Sequence, residues 1–96
     1  MKEVLFVKSE NKSKVEDILK KDDIISRGSI TIRAAASLDI NEDGYFFILD
    51  MPESSIKRAE ELTKDIAEKY KHGDKVIKKV QEEEDKAIEG FGNILG

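Results

Sequence analysis

Apolar and polar positions change period several times along this chain, and each change marks an element. Val4-Leu5-Phe6-Val7 is a short unbroken run of apolar β-formers, which predicts a strand flanked on both sides and central in its sheet. Ser9 and Asn11 are N-cap candidates for a helix over residues 11–21, with Val15, Ile18 and Leu19 on one face and Lys20-Lys21 at the negative end of its dipole. After the Ser26-Arg27-Gly28 turn, Ile30, Ile32, Ala34, Ala36, Leu38 and Ile40 alternate with Ser29, Thr31, Arg33, Ala35, Ser37 and Asp39. That strict period of two predicts a long strand reaching Ile40, with one buried and one polar face. Asn41-Glu42-Asp43-Gly44 supplies the residues of a type I turn followed by a left-handed glycine bulge, and Tyr45 to Leu49 forms the returning strand.

Pro52 and Glu53 suit the first turn of a second helix, whose face is Ile56, Ala59, Leu62, Ile66 and Tyr70 and whose end is His72-Gly73. Asp74 caps a third helix over residues 75–89, carrying Val76, Ile77, Val80, Ala87, Ile88 and Phe91, with Gly90 and Gly92 loosening its end. The alternative makes Lys75 to Val80 a fourth strand before a shorter helix. A right-handed crossover from the first strand to the second leaves room for the third between them. The order β-α-β-β-α plus a C-terminal helix predicts an α+β, ferredoxin-like two-layer sandwich in one domain over residues 1–96.

A chain of 96 residues sustains a single core without staples. Hydrophobic residues make up 39% and charged residues 40%, which predicts a folded chain with a heavily charged exterior. With no cysteine, disulfides, thiolate zinc sites and thiol catalysis are excluded. The apolar stretch after Met1-Lys2-Glu3 is too short for a signal-peptide core or a membrane span, so a cytoplasmic location is expected. The abundance of Lys and Glu fits a thermophile as well as an ordinary protein. A net charge of −4 opposes unspecific attraction to nucleic acid.

No catalytic set stands out. His72 is the only histidine and falls at a predicted helix end. Ser54 and Ser55 read as helix-start residues, and Glu82 to Asp85 as the solvated side of a helix. The chain is expected to act by binding rather than as an enzyme.

Two surfaces carry candidate chemistry. Asp39-Ile40-Asn41-Glu42-Asp43-Gly44 resembles the start of the Asp-x-Asn-x-Asp-Gly calcium loops of EF-hands and other calcium-binding families. The resemblance implies a divalent cation, calcium, held by Asp39, Asn41 and Asp43, with Glu42 as an auxiliary acid and Tyr45 offering its carbonyl. The flanking strands depart from the EF-hand pattern, and Asp50 lies roughly 20 Å of extended chain beyond Asp43. Affinity on the order of 0.1–1 mM is therefore expected.

The other surface is the second sheet face, where the predicted register places Tyr45, Phe47 and Leu49 beside Phe6. Leu5-Phe6-Val7-Lys8 and Gly44-Tyr45-Phe46-Phe47-Ile48 are similar to the strand motifs of RNA-recognition motifs, which implies base stacking on Phe6, Tyr45 and Phe47. Against RNA stand the net acidity, Asp43 at the usual basic position, Phe46 at the usual Gly or Ala, and Asp50 at the final aromatic. The C-terminal helix is expected to cover this face, with Phe91, Ile94 and Leu95 as packing elements. The alternative is a homodimer through Phe6, Tyr45, Phe47 and Leu49. In length, charge style and element order the whole chain resembles the short α+β proteins of methanogenic archaea.

Overall fold

The computed structural model describes the backbone of residues 1–95 and the side chains of residues 1–85. Its elements are β1 (Lys2–Lys8), α1 (Lys12–Lys21), β2 (Ser29–Ala34), β3 (Gly44–Asp50), α2 (Glu53–Thr63), β4 (Glu68–Lys69) and α3 (Gly73–Leu95). Short 3-10 turns occupy Ser9–Asn11, Ile25–Arg27 and Ala35–Leu38. The strands form one antiparallel sheet in the order β2-β3-β1-β4. The molecule is α+β, and the sheet with its α1/α2 layer is compatible with a two-layer sandwich. None of the described helices is long and apolar enough to cross a membrane.

Both sheet faces are covered, each by its own apolar cluster. Leu5, Val7, Phe47 and Leu49 pack with Val15 and Leu19 of α1 and Ile56 and Ala59 of α2. On the opposite face Val4, Phe46 and Ile48 pack under Val76 and Val80 of α3. Strand β1 follows the expected parity, with Leu5 and Val7 towards α1 and α2 and Phe6 on the other side. Strand β3 does not: Tyr45, Phe47 and Leu49 lie on the α1/α2 face, and Phe46 is the neighbour of Phe6.

The cause is the length of β2. A hairpin closing at Asn41–Gly44 with a glycine bulge would pair Ile40 with Phe46, even with even, whereas in the structure Ile32 pairs with Phe47 and Ala34 with Tyr45. The strand ends at Ala34 because the burial period changes there from two to three. Ala35 and Leu38 are buried and Ala36 is exposed, the spacing of a 3-10 turn. Residues 35–43 leave the ladder, and the left-handed position among the described residues is Asp39 (φ 59°), not a bulged glycine. Gly44 has no positive φ.

Helix α2 stops at Thr63 rather than at His72. Ile66 belongs to the α1/α2 core and Tyr70 to the α3 side, so no single helical face could carry both. The segment instead turns back at Thr63, whose carbonyl accepts N–H groups from Ile66 (3.0 Å) and Ala67 (2.8 Å). It then pairs with β1 as Glu68–Lys69, and the Tyr70 N–H donates to the Val4 carbonyl at 2.9 Å. The fourth strand is therefore residues 68–69, not 75–80, which are helical within α3. The apolar roles expected of Ala87, Ile88, Phe91, Ile94 and Leu95, and the loosening by Gly90 and Gly92, fall outside the described side chains.

Candidate functional site

At the end of the sheet where β1 finishes and β3 and β4 begin, α3 leaves part of its face open. The even positions of β1, Phe6 and then Lys8, form a floor there. A groove of about 530 Å³ runs between Phe6, Lys8, Ser9, Glu10, Glu42 and Asp43. A second, of about 420 Å³, starts from the same Phe6, Lys8 and Glu10 and runs towards Lys64–Glu68 ahead of β4. The two grooves share Phe6, Lys8 and Glu10 in their linings.

The Phe6 ring is held from below and from the side. Gly44, its diagonal neighbour on β3, has no side chain, and a Cβ built there would lie 2.7 Å from Phe6 Cζ. Phe46 is buried 5.6 Å away between centroids, and Tyr70 stands 6.2 Å from Phe6 and 4.7 Å edge-on to Phe46. His72 extends the row, 6.1 Å from Tyr70. Aromatic packing of this kind fixes ring positions and leaves Phe6 half-buried, with part of its ring facing the groove.

The acidic loop forms one wall. Ser9, expected as a helix cap, uses its hydroxyl elsewhere and donates to Asp43 Oδ1 at 3.0 Å, while the α1 N-cap Asn11 makes no side-chain cap bond. The loop is also tied from α3, where Lys79 Nζ donates to the Leu38 carbonyl at 2.9 Å. Within the loop the Ile40 N–H returns to the Ala35 carbonyl and the Glu42 N–H to the Ile40 carbonyl.

The predicted ligand set divides. Glu42 and Asp43 line the groove, whereas Asp39 and Asn41 are exposed and do not line it. Tyr45 lies inside the ladder between Val7 and Ala34, with the Lys12 ammonium 5.6 Å from its ring centroid. In a central strand the main-chain groups serve the neighbouring strands, which removes its carbonyl from the loop. Among the described residues no three Asp, Glu or His side chains gather as a metal-holding group. The expected aromatic face also divides: Phe6 lies on the α3 side, and Phe47 and Leu49 are fully buried under α1 and α2.

No family model, curated protein or solved structure matches this chain.

Glu10 and Lys8 are the groove residues that sequence reasoning passed over. Their signal was the continuation of Phe6 at period two beyond the apolar run, into positions assigned to a helix cap. Tyr70 was hidden by its helical spacing from Ile66. The assembled site is an aromatic floor with three carboxylates, Glu10, Glu42 and Asp43, and one ammonium, Lys8, around it. The charged side chains and the Phe6 ring offer recognition of charge and of apolar surface, and the Ser9 hydroxyl is engaged by the Asp43 carboxylate.

Proposed function

We propose that this protein is a binding module of ferredoxin-like topology whose groove over Phe6 receives a cationic side chain, ammonium or guanidinium, of a partner polypeptide. The element order β-α-β-β-α-β and the strand order β4-β1-β3-β2 support the topology. The observation that carries the ligand reading is that the Phe6 ring and the carboxylates of Glu10, Glu42 and Asp43 line one groove. An aromatic ring attracts a cation through its quadrupole, and carboxylates spread along the walls reach the several N–H groups of an organic cation. A bare calcium ion asks for about six to eight oxygens gathered at ~2.3–2.6 Å, a tighter assembly than these spread side chains offer.

Magnitude decides that the cation is attached to a chain. Exposed ion pairs contribute ~0.2–1 kcal/mol each, and an exposed cation–π contact adds ~0.5–1 kcal/mol. A free ammonium therefore binds no tighter than about 1 mM, which corresponds to about −4.1 kcal/mol. Useful affinity comes from neighbouring residues of the same partner lying along the second groove towards Lys64 and Glu68.

The test is an amide-shift titration of labelled protein with a short arginine-containing peptide, and separately with calcium chloride. The peptide should give saturable shifts at Phe6, Glu10 and residues 42–44, reduced several-fold in affinity by Glu42→Gln with Asp43→Asn. Calcium should give none there. Saturation by calcium at residues 39–45 would replace this reading with the cation loop, and uniform shifts over the acidic surface would reduce both to unspecific charge attraction.

A further inference from the structure

The sheet has two edges, and they are unequal. Strand β4 offers two residues, whereas β2 presents six, Ser29–Ala34, paired on one side to β3. An open strand of β-branched residues is a template for pairing with another chain, and folded proteins keep such edges from self-pairing by local devices. Here the device is visible in the hydrogen bonds. Arg33 Nη1 donates to the carbonyl of Ile32 at 3.0 Å, and Ser37 Oγ donates to the carbonyl of Ala34 at 2.7 Å. In an antiparallel ladder alternate residues aim their N–H and C=O the same way, so the even positions of β2 point away from β3. The bond from the Tyr70 N–H to Val4 agrees, since it requires even positions of β1 to face β4 and odd ones to face β3.

The Arg33 guanidinium is anchored from a distant element as well. Its Nε lies 3.7 Å from Glu83 Oε2 on α3, which crosses this side of the sheet. Arg33 therefore lies over an outward carbonyl while tethered to the covering helix. Without it the strand is self-complementary. A second copy related by a two-fold axis at Ile32 sets Ile30 opposite Ala34 and Thr31 opposite Arg33, with no like charges directly opposed.

We propose that Arg33, held by Glu83, is a guard that keeps the β2 edge from pairing with β2 of a second copy. The contact is independent of the groove over Phe6, so its failure leaves the ligand reading untouched.

The experiment is a mass measurement in solution by sedimentation equilibrium from micromolar to millimolar protein. The wild-type chain should stay at its single-chain mass of 10.9 kDa. Arg33→Ala should rise towards twice that mass with concentration. Ala34→Pro added to Arg33→Ala should return it to one chain. Ala34 sits at φ −68° and ψ 138°, which proline adopts without strain, and the substitution removes only an outward N–H. Glu83→Ala, at an exposed helical position, gives a smaller rise and keeps the test valid if Arg33→Ala fails to fold. A wild-type dimer dispersed by Ala34→Pro would overturn the proposal. So would a folded Arg33→Ala chain that stays single, or a dimer that persists in the double variant carrying Ala34→Pro.

Discussion

Replacing Gly44 by alanine tests the packing that holds the groove floor. Gly44 pairs with Lys8 at the start of β3, and an added Cβ would stand 2.5 Å from the Val7 carbonyl oxygen and 2.7 and 2.8 Å from Phe6 Cζ and Cε2. Carbon atoms rest ~3.5–4.0 Å apart, so the ring must recede by about 1 Å. The Val7 oxygen cannot recede so easily, because it belongs to the β1–β3 ladder. Overpacking of this kind costs ~1–3 kcal/mol. With a urea slope of ~1.5 kcal/mol per molar, a loss of about 2 kcal/mol lowers the unfolding midpoint by about 1.3 M. The ring's share is isolated by repeating the substitution in a Phe6→Leu background, where the smaller side chain should reduce the penalty. An unchanged or higher midpoint for Gly44→Ala would refute the reasoning, and so would an equal penalty in both backgrounds.

Phe46→Ala should cost ~3–5 kcal/mol, because Phe46 is 0% exposed and is the edge-on partner of Tyr70 beneath α3; urea unfolding followed by tyrosine fluorescence measures it, and a loss near that of an exposed residue would contradict the α3 cover. Acid sensitivity should come in part from Asp22. The Ile25 N–H, then the Arg58 guanidinium and the Ile24 N–H, hold its carboxyl below the ordinary 3.8. Because the folded value is the lower one, this stability is complete above the ordinary value and is lost as pH falls through the lowered one. Asp22→Asn should flatten that part of the stability–pH curve, and superimposable acid limbs would remove Asp22 from the account.

Local chemistry made some elements readable and tertiary competition concealed others. The β1 run, α1 with its lysine-rich end, the returning strand and the Pro52-Glu53 helix start were legible because each rests on residues adjacent in sequence. So was the place of β3 between β1 and β2, which follows from the handedness of the crossover. The α2 end was not legible, because Ile66 and Tyr70 sit four apart as on a helix while packing on opposite sides of the sheet. Helical spacing is necessary for a helical face and says nothing about whether a neighbouring strand claims the segment first. Strand β4 exists because β1 has an edge to fill, a fact stored in residues 2–8 rather than in 68–69.

The widest consequence lies with Ala34-Ala35-Ala36, three small residues that satisfy a period of two and a period of three equally well. Read as strand, they carry the alternation to Ile40 and pair even positions of β2 with even positions of β3. With β2 ending at Ala34 and the 3-10 turn taking Ala35–Leu38, Phe46 pairs with Arg33 instead of Ile40, an odd shift of seven that exchanges every side chain of β3 between the faces. Phe47 thereby goes into the α1/α2 core and Phe46 under α3, so the supposed row of exposed aromatics becomes two buried ones. The same turn changes the loop, since Asp39 becomes the left-handed cap of Ala35–Leu38 and lies outside the groove that Asp43 lines. Asp43, freed from a tight hairpin, reaches Ser9 across the end of β1. One ambiguous tripeptide thus decides both surfaces, and the acids and the aromatic read as rival sites come to border a single groove.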